Sequence, residues 1–290
     1  MKFVSFRSIL YTLYAVSLTF VLVAAFVGMP YYTTPLADRP HMAMHQYLKP
    51  GGLWGHGLGI IGSSMILLLF LYSLRKRNKL GLRFGHLSRW LDIHIYFGII
   101  GPLLITLHTA MKFHGVVSIS YFSMLIVALS GVFGRYIYMQ IPRDQRGSAM
   151  NLRQIRERAE KLRESLRGEV PESVFSGVDV FSAQPVPIET AGPGAIAMTM
   201  WMDITLPWRI RKVRRVIRQG NRQVPERRLR AAVKLVHQQT VLARRMATIE
   251  TMTRALHYWH LFHKPFAYIM VAIMFVHIAV AVSFGYTWVF

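Results

Sequence analysis

The chain has 290 residues, of which 53% are apolar, with 35 Lys and Arg against 13 Asp and Glu, a formal net charge of +22 and no cysteine. An apolar majority beside so large a basic excess describes a membrane protein with positively charged aqueous segments. The lack of cysteine excludes disulfides, thiolate-held iron–sulfur clusters and cofactors attached through thioether links.

A hydrocarbon core about 30 Å thick is crossed by roughly 20 apolar residues in a helix. Five runs of that length occur, at 8–29, 53–74, 91–112, 116–139 and 264–286. Lys2 and Arg7 give the first the look of a signal peptide, but its apolar core is too long, so it is read as a retained span. Between the first two runs and into the start of the second lies "DRPHMAMHQYLKPGGLWGHG", which gathers Asp38, His41, His45 and His56. The second run ends in the basic segment "RKRNKLGLR" (75–83), which belongs on the cytoplasmic side, as does the very basic 141–261 segment. The opposite loops carry little charge near the spans beyond Arg39, Lys49 and Lys112. The first, third and fifth spans therefore run outward from the cytoplasm, leaving the N-terminus inside and the C-terminus outside, as in a bacterial inner membrane.

The stretch "LDIHIYFGIIGPLLITLHTAMKFH" (91–114) covers the third run, carries His94 and His108 into the apolar region and ends in His114. A fourth run is followed by a basic insert at 141–256. Within it, "NLRQIRERAEKLRESLRG" (151–168) alternates acid and base as a solvated helix does. The stretch 169–200, with Pro171, Pro185, Pro187 and Pro193, is expected to be a loop, and a helical pattern over about 225–256 leads toward the fifth run. The expected fold is an all-α integral membrane protein. Spans one to four occupy 1–140, a cytoplasmic helical insert occupies 141–256, and 257–290 supplies the fifth helix of a five-transmembrane-helix bundle.

That fifth run, "HKPFAYIMVAIMFVH" (263–277), repeats the spacing of the third: His263 and His277, like His94 and His108, are fourteen residues apart. At about 100° and 1.5 Å per residue, fourteen residues come close to four whole turns and rise about 21 Å. On parallel helices, His94 can meet His263 at one depth and His108 can meet His277 at the other. Ionisable groups inside membranes usually face the bundle for a functional reason, and neutral imidazole is a common iron ligand. The pairing suits two non-covalent b-type haems, each held between two histidines with no open axial position. Zinc suits it less, because only two histidines are offered at each depth. Gly98, Gly101 and Ile105 on one helix, and Ala267, Met270 and Met274 on the other, lie between the ligands. Small residues there leave room for a flat ring, although they are equally ordinary at helix contacts in membranes.

Other candidates are less pointed. His260 is turned roughly 100° off the stripe relative to His277, and His86, His237 and His257 have no paired spacing. His41, His45, His56, His114 and Asp38 admit three readings: a quinone or outer-face acceptor site, a third metal or haem using His56 and His114, or a polar loop at the interface. Arg89, Arg135 and Lys112 stand where haem propionates would emerge, and equally where topology places basic residues. The basic insert invites nucleic acid, but anionic headgroups, which attract each Lys or Arg by about 1 kcal/mol, account for its charge.

The doubled fourteen-residue histidine spacing, on the third and again the fifth helix, resembles the ferric reductase-like transmembrane domain and the wider di-haem membrane cytochrome b superfamily. The resemblance covers the membrane spans and implies that His94, His108, His263 and His277 are the axial ligands of two stacked haems carrying electrons across the bilayer. No flavin- or nicotinamide-binding module of the kind joined to the eukaryotic oxidases is recognisable, and no Pro-Glu-Trp-Tyr quinol motif occurs. The expectation is therefore the electron-transfer membrane subunit of an oxidoreductase complex, with no catalytic residue of its own. Its partners would be a cytoplasmic flavin or iron–sulfur subunit or an acidic electron carrier on one side, and quinone or an outer-face acceptor on the other. Two alternatives of other classes are a non-redox membrane anchor or assembly subunit and a histidine-lined proton or metal transporter; the near absence of acids from the spans argues against the latter.

Overall fold

Each apolar run of membrane length is helical. The computed structural model describes residues 5–77, 85–142, 150, 152–169, 193–220 and 225–285, and these contain no strand. The helices are α1 (Phe6–Thr33), the single turn α2 (His45–Leu48), α3 (Leu53–Lys76), α4 (Leu87–His108), α5 (Val116–Gln140), α6 (Leu152–Glu169), α7 (Pro193–Gly220) and α8 (Glu226–Ser283). Helices α1, α3, α4 and α5 and the apolar end of α8 are long and apolar enough to cross a membrane. The protein is an all-α integral membrane protein. Leu22, Phe26, Leu129 and Val276 are more than three-fifths exposed on these spans, as side chains that meet acyl tails instead of water must be.

Two compact units divide the chain: residues 1–132 with 262–290, and residues 133–261. In the first, α3 and α4 approach closely because glycine lines the contact. A Cβ on Gly62 would lie 2.9 Å from the Ile105 side chain and 3.1 Å from the Gly101 carbonyl. Lipid tails are as apolar as leucine, so close backbone approach is what draws such helices together. Val21 of α1 and Leu58 of α3 join Tyr96, Ile100, Leu104 and Leu107 of α4 in one buried cluster, and Ser17 Oγ and Tyr96 Oη are hydrogen-bonded at 2.6 Å.

The α4 helix ends at His108, short of residue 112 where the apolar run stops. Ala110 and Met111 take left-handed conformations (φ 47° and 58°) that close the helix before Lys112. Arg39, only 4% exposed, clamps this turn to the end of α1. Its guanidinium donates to the carbonyls of Tyr32, Thr34 and Ala110, satisfying groups that a helix end leaves without partners.

In the second unit, the expected loop at 169–200 is corrected in part. Residues 170–192 lie outside the described ones, but the chain is helical from Pro193. Proline is tolerated in the first turn, where its missing N–H has no helical partner to lose. The helical pattern at 225–256 and the fifth span are one continuous helix, α8. Val213 and Ile217 of α7 pack against Leu229, Ala232 and Val236 of α8, and Glu226 receives Arg214 and Arg218. Asp203 of α7 accepts hydrogen bonds from Tyr136 Oη (2.8 Å) and Gln140 Nε2 (2.7 Å) of α5 and pairs with Arg244 of α8.

Candidate functional site

His108 is the last residue of α4, and its Nδ1 lies 2.7 Å from the Gly55 carbonyl of α3. A carbonyl only accepts, so Nδ1 carries the proton and the Nε2 lone pair is left for a ligand. The ring lies flat enough on α3 that a Cβ on Gly59 would come within 2.6 Å of Nδ1 and 2.8 Å of Cε1. Opposite stands His277 of α8, with ring centroids 6.5 Å apart and planes inclined at 60°. Two metal–nitrogen bonds of about 2 Å, plus about 1 Å from each nitrogen to its ring centre, would separate trans imidazole centroids by roughly 6 Å. His56 is within electrostatic reach of both rings.

His94 and His263 are each hydrogen-bonded through Nδ1 to a neighbouring helix. His94 Nδ1 lies 3.1 Å from the Leu69 carbonyl and so donates to it, with the Tyr72 ring 5.2 Å away. His263 Nδ1 is 2.7 Å from Ser130 Oγ of α5. Ser130 spends its own proton on the Val127 carbonyl at 2.8 Å, so its oxygen accepts from His263. Three of the four histidines are therefore oriented through Nδ1–H, the outer-shell arrangement by which ligating histidines are fixed in one tautomer. His260, by contrast, donates within its own helix to the Leu256 carbonyl at 2.8 Å.

Between the two depths, Ile66, Tyr121, Met124, Met270 and Met274 form a buried cluster. Ser120 Oγ donates to the Met270 carbonyl at 2.9 Å and ties α5 to α8. Gly98 and Gly101 face α3: the nearest neighbour of a Cβ on Gly98 would be Leu69, and on Gly101 it would be the Gly62 carbonyl, Ile66 and Met65. These glycines thus serve the α3–α4 contact.

The remaining candidates are scattered. Arg89 lies over the Phe6 ring at 5.4 Å and Arg135 over Tyr138 at 5.9 Å. Lys112, His114, His41 and Asp38 are exposed, and His45 Nδ1 is bonded to Tyr31 Oη at 3.0 Å. Of that histidine-rich group only His56 approaches the His108–His277 pair. Among the described residues, no three His, Asp or Glu side chains are grouped to hold a metal ion. The sequence reading missed Gly59, Ser130 and Arg39. Gly55, Gly59 and Gly62, spaced four and three residues apart in "GHGLGIIG", were the available signal for a close neighbour; nothing local distinguishes Ser130. Comparison of the chain with protein-family models, curated proteins and solved structures gives no match.

Proposed function

We propose that this protein is a b-type membrane cytochrome subunit that carries electrons across the bilayer through two haems. His94 with His263 would hold one and His108 with His277 the other. The observation that carries this reading is the common state of the imidazoles: His94, His108 and His263 each give Nδ1–H to a protein oxygen, leaving Nε2 to coordinate. The 6.5 Å separation of the His108 and His277 centroids supports the same reading, because it fits two ligands on one metal. Bound haem would supply one-electron chemistry.

The chain's own residues would do the rest. Gly55, Leu69 and Ser130 fix the ring orientations, Gly59 gives the His108 ring its place, and the methionines of α8 fill irregular apolar space without adding charge. Acid, base and nucleophile have no part at such sites, so chemistry belongs to the two ends. The donor would be a cytoplasmic flavin or iron–sulfur subunit or an acidic carrier, and the acceptor quinone or an outer-face partner beside His56. In that arrangement the basic insert faces the cytoplasm of a bacterial inner membrane, and the chain would resemble the ferric reductase-like domains in function as well as spacing.

The test uses liposomes containing the purified protein and entrapped ferricyanide, with dithionite added outside. Reduction of the entrapped acceptor by wild type, lost in both His94→Ala and His277→Ala, is the expected result. A rate equal to that of protein-free liposomes would refute transmembrane transfer and favour the anchor reading.

A further inference from the structure

We infer that α7 is an interfacial helix that docks on anionic phospholipid. Trp201, Ile204 and Trp208 are 63%, 59% and 61% exposed, and their spacing of three and four residues puts them on one helix face. They are not surplus core. The opposite face already buries Thr199, Leu206, Val213 and Ile217, so α7 carries a second apolar stripe that the described residues leave exposed.

Depth is fixed by Asp203. It bonds Tyr136 and Gln140 in the last turns of α5, the end of a helix long and apolar enough to cross a membrane. The neighbouring Trp201–Ile204–Trp208 stripe therefore stands at the level where tryptophan is enriched in membrane proteins. Further along the same face the residues become Arg211, Lys212 and Arg215, all exposed. None of these three forms an ion pair with a described residue, whereas Arg214 and Arg218, on another side of the helix, are engaged by Glu226. An apolar patch of two tryptophans and an isoleucine that passes directly into cations no described residue pairs is the composition of a helix lying in an anionic interface. A protein partner would need complementary acids opposite those cations, whereas an anionic leaflet provides them wherever the span ends. The inference stands whether or not haem is bound.

With no native cysteine, a single spin label can be placed at Ile204→Cys in the full chain, one molecule per nanodisc. Leu22→Cys, on the exposed face of α1, serves as the lipid reference. In discs of phosphatidylcholine with equimolar phosphatidylglycerol, the label at 204 should lose collisions with a water-soluble nickel chelate and gain collisions with oxygen, approaching the reference. The combined substitution Arg211→Glu, Lys212→Glu and Arg215→Glu should restore nickel access. Free access of nickel in unaltered α7 would overturn the inference, as would shielding from both reagents, which signals a protein contact. Equal embedding in phosphatidylcholine alone would overturn the anionic preference.

Discussion

His108 faces His277 across 6.5 Å between ring centroids, while its Nδ1–H is held by the Gly55 carbonyl on the opposite flank. The ring is thus pinned from behind with His277 in front, and what pins it includes the bare backbone of Gly59. Substituting Gly59→Ala places a methyl group 2.6 Å from Nδ1, and the ring must move. Overpacking of this kind costs about 1–3 kcal/mol. Under the proposed function, Gly59→Ala lowers the melting temperature in detergent and loses the haem at His108 and His277 while keeping the other, as pyridine haemochrome quantification would show.

Ser130 orients His263 with a side-chain oxygen, where Gly55 and Leu69 orient His108 and His94 with backbone carbonyls. Ser130→Ala leaves His263 in place but removes its acceptor. Loss of such an outer-shell partner typically weakens metal binding by about 10- to 100-fold. The expected outcome is weaker haem retention at the His94–His263 site, with Ser130→Thr, which keeps a hydroxyl, close to wild type. Equal retention in Ala and Thr variants would show that the hydrogen bond is incidental.

Arg39 makes a prediction that does not involve haem. Three backbone carbonyls depend on its guanidinium, and hydrogen bonds to a charged donor are worth about 1.5–3 kcal/mol each. Arg39→Met should destabilise the protein by several kcal/mol, read as a fall in the thermal midpoint. Arg39→Lys should rescue little, because one ammonium cannot reproduce the fork. A midpoint unchanged in Arg39→Met would remove the clamp from the account.

Asp203 plays the corresponding part in the second unit. Its partner Arg244 has a side chain 6% exposed, so Asp203→Leu strands a buried cation at a cost of about 3–5 kcal/mol. Faster limited proteolysis between residues 133 and 261 is expected, with Asp203→Leu combined with Arg244→Leu more resistant than Asp203→Leu alone. Equal digestion of the single and double variants would mean that the stranded charge is not the cause.

The spans were legible because apolar length is a property of the local sequence, and the 53–74 and 116–139 runs fall within two residues of α3 and α5 at either end. The matching histidine spacing was legible for the same reason: helical periodicity alone puts His94 with His108, and His263 with His277, on one face. What surrounds them was not. Gly98 and Gly101 read as room for a ring and turn out to receive α3, since which helix covers a glycine depends on tertiary packing. Pro193 read as loop punctuation, yet it begins a helix, because proline is harmless in a first turn and only the apolar residues after it reveal the continuation. Arg39 passed as an ordinary outer-loop charge because its three carbonyl partners belong to two separate chain segments, the end of α1 and the turn after α4.

Whether the four histidines hold haem is decided by a dithionite-reduced minus oxidised optical spectrum of the purified protein, with haem counted per chain by the pyridine method. Two non-covalent b-type haems per chain are predicted, with His94→Ala and His277→Ala each removing a different one. Well-folded protein that binds no haem would contradict the account and leave a membrane anchor whose histidines only hold helices together.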